Sequence, residues 1–141
     1  MKNAFIRITE ENNTKEGIVK YSLNDIDKMV KRFLKENYVD GIAYMIKHGN
    51  KYAINGDKID DIKPHYHVVI SSEYDISFIQ LKKYFPYGDI QECRDLLHSI
   101  RYLTHIGYGN KQDKYKFGDV KSYLSFNGRV ENGLSFIQDF E

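Results

Sequence analysis

The stretch KPHYHVVISS, residues 63–72, decides how this chain folds. Pro64 cannot continue a helix, and the aromatic and β-branched residues after it favour a pleated strand. A period of two then puts Tyr66, Val68 and Ile70 on one face and His65 and His67 on the other. The apolar face suits helices packed beneath the sheet, so the histidines are predicted to point toward an open face. Two imidazoles on one strand face are either incidental solvated positions or a pair holding something between them. Neutral imidazoles are good ligands for divalent cations.

Working outward, AFIRIT (4–9) alternates and is predicted as a first strand, and EENNTKEG (10–17) as a loop. SLNDIDKMVKRFLKEN (22–37) sets Leu23, Ile26, Val30, Phe33 and Leu34 on one helical stripe, and Ser22 with Asp25 resembles a capping box. DGIAYMIKH (40–48) is predicted as a strand with Ile42, Tyr44, Ile46 and His48 on one face. After a polar loop over 49–62 it can pair with 63–72 as a long-looped hairpin. ISFIQLKKYF (76–85) reads as a helix, GDIQECR (88–94) as a strand and LLHSIRYLTH (96–105) as a further helix. Beyond residue 107 the pattern weakens to loop and one or two short elements.

The order β-α-β-β-α-β predicts an α+β fold of the split-βαβ kind, an antiparallel sheet with helices on one face plus the extra helix. Residues 1–110 form the core and 111–141 an extension of the same domain. The exposed sheet face is where ligands of such folds bind, RNA-binding RRM domains among them.

The 141 residues suffice for one domain with a real core, and 41% hydrophobic with 29% charged residues is ordinary for a globular protein. The apolar runs are too short to span a membrane, and the N-terminus lacks a signal peptide's apolar centre. One cysteine, Cys93, permits no internal disulfide and fits a reducing, cytoplasmic compartment. A formal charge of +1 neither supports nor excludes nucleic acid, because a basic groove can be compensated elsewhere.

His48 ends the strand before the histidine pair, and a hairpin would bring it near His65, which makes it the natural third ligand. In RDLLHSIRYLTH (94–105), Leu96, Leu97, Ile100 and Leu103 form the predicted buried stripe. Arg94, His98, Arg101, Tyr102 and His105 cluster on the other side. Tyr102 is either a surface ring lying along the helix or a nucleophile. A phenol attacks poorly until a cation or base draws off its proton.

PHYHVV on a strand followed by RYLTH on a helix resembles the HUH endonucleases, named for histidine–hydrophobic–histidine. The chain is most similar to the rolling-circle plasmid replication initiators of Gram-positive bacteria. The resemblance spans roughly residues 40 to 125 and includes DKYKFGDVKSY (113–123). It implies His65 and His67 as metal ligands, His48 as the third, and Tyr102 as the nucleophile. It also implies Mn²⁺ or Mg²⁺ as cofactor, and an origin hairpin, single-stranded at the nick site, as the DNA partner in a bacterial cytoplasm. Those initiators follow the earlier histidine with an H-D-x-D run, where this chain reads HGNK (48–51). A carboxylate ligand would then come from Asp57, Asp60 or Asp61, or be replaced by water. Arg101, Lys114 and Lys116 are candidate phosphate contacts, and His105 a candidate partner of Tyr102. A single-tyrosine HUH transposase and a non-catalytic RRM-like binding module remain alternatives, and homo-oligomer formation stays open.

Overall fold

The computed structural model describes residues 1–49, 52–55, 58–61, 63–104 and 115–133. Its elements in chain order are β1 (Asn3–Thr9), β2 (Glu11–Thr14), β3 (Gly17–Lys20), α1 (Leu23–Glu36), β4 (Gly41–His48), β5 (Tyr52–Asn55) and β6 (Lys58–Asp61). There follow β7 (His65–Ser72), α2 (Phe78–Tyr84), β8 (Gly88–Glu92), α3 (Leu96–Tyr102), a 3₁₀ turn (Phe117–Asp119), β9 (Lys121–Phe126) and β10 (Arg129–Asn132). The fold is α+β. Six strands form one antiparallel sheet in the order β10-β9-β4-β7-β1-β8, so β7 lies between β1 and β4.

Period two in the strands builds the first core. Ala4, Ile6 and Ile8 of β1, Ala43 and Met45 of β4, and Tyr66, Val68 and Ile70 of β7 face α1 and α2. From the helices come Ile26, Val30, Phe33, Leu34, Leu81 and the following Phe85. Ser22 and Asp25 close the predicted capping box of α1, and Ser77 with Gln80 does the same for α2. Leu23, expected on the stripe, is instead exposed at the first turn. On this side Asp27 of α1 accepts from the Tyr123 hydroxyl and pairs with Lys121 and Lys31, which pins the helix to β9.

The second face differs from expectation. Tyr44, Ile46 and Val69 are covered by Ile100 of α3, by Leu103 and by Val120, so this face is closed in part. Nearly every residue of β7 is therefore buried, the histidines included. Within α3 the buried stripe is narrower than predicted, because Leu97 is 46% exposed and Leu96 only partly buried.

Three hairpins went unforeseen. β2, in the segment read as a loop, pairs with β3, most of which lies just beyond it, turning next to Gly17, whose φ of 120° suits glycine. β5 pairs with β6 in the supposed polar loop. β9 joins the main sheet beside β4 and turns into β10 through Asn127 and Gly128, both at positive φ, the backbone of a two-residue hairpin turn. No helix among the described residues is long and apolar enough to cross a membrane.

Candidate metal centre

Register builds the site. His48, the last residue of β4, pairs directly with His65, the first of β7, and His67 lies two residues further on the same face. The pairing that sequence could not fix is thus the one that brings the third histidine in. All three imidazoles are buried, at 1%, 8% and 4% exposure for His48, His65 and His67. The solvated alternative does not hold.

The ring nitrogens converge. His65 Nε2 and His67 Nε2 are 3.1 Å apart, and one ligand nitrogen from each of the three rings lies within 4.8 Å of the others. Metal–nitrogen bonds of about 2.1 Å separate two ligand nitrogens by about 3.0 Å at right angles and about 3.4 Å at tetrahedral angles. The observed pair falls between these values. His65 Nδ1 donates to the Lys63 carbonyl at 2.8 Å, which leaves the Nε2 lone pair for a ligand. Lone pairs facing one another at such range are held together by a proton or by a cation. This nitrogen-rich, buried set fits a divalent transition ion, with imidazole favouring Mn²⁺ over Mg²⁺.

Tyr102 is brought to the same place. Its ring stands edge-on to His67, with centroids 5.8 Å apart, and edge-on to Phe5 at 6.3 Å. Phe5 in turn stacks on His67 at 5.0 Å. The half-buried phenol therefore borders the histidines, whereas the helical pattern had put it simply on the polar side of α3. Immediately after Tyr102, the Leu103 carbonyl accepts from His48 Nε2, tying the end of the tyrosine helix to the third imidazole.

Two further residues complete the surroundings and were missed in the sequence. Tyr115 lies flat against His48, centroids 4.2 Å apart and planes 12° apart. Its hydroxyl accepts from the Gly49 N–H at 2.8 Å, and its own N–H donates to the Thr104 carbonyl at 2.9 Å. One residue thus braces the end of β4, through its side chain, against the end of α3, through its backbone. Arg7, exposed on β1, is paired with His67 across the sheet and so shares its face. A period-two reading from Phe5 could have placed Arg7 there, and Tyr115 lies within the DKYKFGDVKSY segment of the resemblance, which gave it no role.

Among the other candidates, Arg101 and Lys116 are exposed. Asp57, the side chains of Asp60 and Asp61 on β6, Lys114 and His105 lie outside the described residues. Among the described residues this is the one His/Cys/Asp/Glu group with metal-ligand spacing. The fold and site define a three-histidine centre on two interior strands, with a tyrosine at its margin. No protein-family model matches the chain, and no curated protein matches it.

Proposed function

We propose that this chain is a metal-dependent endonuclease of the HUH kind, which nicks single-stranded DNA at a rolling-circle replication origin through a covalent tyrosine intermediate. The observation that carries the proposal is the Tyr102 ring standing 5.8 Å from the His67 ring within a cluster of three buried histidines. His48, His65 and His67 would hold Mn²⁺ or Mg²⁺, which when bound supplies a Lewis acid that offsets charge on the scissile phosphate.

Tyr102 gives up its phenolic proton to water, and its oxygen bonds to phosphorus as the bond from phosphorus to the 3′ oxygen breaks. The phosphate passes to the tyrosine on its 5′ side, and the departing 3′ oxygen takes a proton to become a free hydroxyl, a primer end. The phosphotyrosine keeps the number of phosphodiester-type bonds constant, so a 3′ hydroxyl can later displace the tyrosine and rejoin strands without ATP. The sheet supplies a fixed ligand set, and the link from His48 to Leu103 holds the nucleophile's helix against it.

Incubation with labelled origin-type single strands and Mn²⁺ is expected to yield an adduct stable to denaturation. Tyr102→Phe should abolish the adduct and retain DNA binding, and a Tyr102→Phe protein that still becomes covalently attached would rule out the assignment. Alanine at both His65 and His67 should eliminate Mn²⁺-dependent nicking.

A further inference from the structure

Beside the histidine cluster, an open groove of about 690 Å³ runs between β8 and the start of α3. Clefts of roughly 300–1,000 Å³ are the size that takes small organic groups. Phe5 belongs to both places: it lines the groove, and its ring also touches His67 and Tyr102. Gln91, its partner across the sheet on β8, stands beside it on the same face, and Arg94, His98 and Ser99 complete the wall.

We propose that this groove is a nucleobase subsite, receiving the base of the nucleotide next to the scissile phosphate, with Arg7 contacting that nucleotide's own phosphate. This rests on the nickase reading and adds the part of the substrate recognised. Three observations carry it. Phe5 offers an aromatic surface within 6.3 Å of the Tyr102 ring, comparable to the step between neighbouring nucleotides in an extended strand. Stacking on an aromatic side chain is how single strands are commonly gripped. The groove's lining is net negative, with Glu92 and Asp95 against the single guanidinium of Arg94, which disfavours a phosphate, while its mixed donors and acceptors suit the edge of a base. Gln91 can donate and accept at once, as base-edge readers do. Arg7, outside the groove and opposite His67, supplies a cation apart from the groove's two carboxylates.

The test uses the full chain with Mn²⁺ and fluorescent single-stranded dA, dC, dG and dT 12-mers, read by anisotropy, beside adduct formation on an origin-type strand. Phe5→Leu is expected to weaken binding about tenfold, with Mn²⁺ affinity measured in parallel to show that His67 is undisturbed. Gln91→Ala, at an exposed position, should change the ranking of the four homopolymers, and Arg7→Gln should weaken all four alike and flatten the salt dependence. If adducts form but all three variants bind and rank the 12-mers as wild type does, the subsite is overturned and the nickase reading stands. If the variants behave as expected but no adduct forms, the nickase reading falls and with it the placement beside a scissile phosphate, while base binding by the groove itself stands. A wild-type chain that binds none of the 12-mers overturns the subsite directly.

Discussion

Replacing Tyr115 with leucine should loosen the proposed metal centre without replacing any of its three histidines. The variant keeps the main-chain bond from residue 115 to Thr104 but loses the face-to-face contact with His48 and the hydroxyl that accepts from Gly49. An aromatic pair contributes about 0.5–1.5 kcal/mol beyond its buried area, and a neutral hydrogen bond about 0.5–1.5 kcal/mol. If both act to hold His48 in place, their loss raises the Mn²⁺ dissociation constant by about 5- to 150-fold. That range overlaps the 10- to 100-fold, roughly, seen when a group supporting a metal ligand is removed. Tyr115→Phe keeps the ring and loses the hydroxyl alone, so about 2- to 10-fold is expected. The assay is titration of Mn²⁺ followed by the electron paramagnetic resonance of the free ion, with melting of the metal-free protein measured alongside. A leucine variant that binds Mn²⁺ within twofold of wild type would refute the reasoning. So would equal losses from Phe and Leu, since the ring would then contribute nothing.

Other outcomes follow from the scaffold. Burial would push the Asp27 carboxyl up, but hydrogen bonds from Lys121, Tyr123 and Lys31 outweigh it and hold the group below the usual range. Its stabilising effect is thus complete above the unfolded carboxylate value of about 3.9 and is lost as pH falls through the lower folded value. Asp27→Asn should cost about 1–3 kcal/mol in urea unfolding at neutral pH, with the gap to wild type closing in strong acid; a gap independent of pH would contradict this. A methyl group at Gly41 would collide with the Ser71 backbone carbonyl, which cannot rotate away. Gly41→Ala should therefore destabilise by about 3 kcal/mol, seen as a lowered urea midpoint with an unchanged slope.

The sheet's framework was legible because its strands alternate cleanly and α1 carries both its stripe and its cap. The hairpins were not, for reasons visible in their residues. ENNT in β2 has neither alternation nor β-branched bulk before its threonine, and GIVK in β3 is exposed along most of its length. Asn55-Gly56 and Asn127-Gly128 are the strongest short-range hairpin signals, yet the strands beside them are short, four residues in β5, β6 and β10 and six in β9. His65 and His67 were legible as a pair from spacing, and His48 as their third from the hairpin. Their burial was not, since it depends on Phe5 and Tyr102 packing on His67 and on Tyr115, far along the chain, lying over His48. Tyr102 was placed on the polar side of its helix because a helical wheel cannot know that the sheet beneath it presents imidazoles. Arg7 follows from period two along β1 once His67 is known to be opposite it, whereas the stacking of Tyr115 on His48 depends on a contact remote in sequence.

The short connection between β8 and α3 has a consequence for how the chain tolerates changes of length. Only Cys93, Arg94 and Asp95 separate the strand from the helix; the Cys93 N–H is still tied to the Asn3 carbonyl, and Asp95 already caps the helix. There is little slack, so the count of residues sets the rotational phase of α3. Deleting one residue there turns the helix by about 100° and delivers Leu103 to the spot where the phenol now stands. The β2–β3 turn, in a separate two-stranded sheet, has no such ruler, and lengthening it leaves the phase of α3 unchanged.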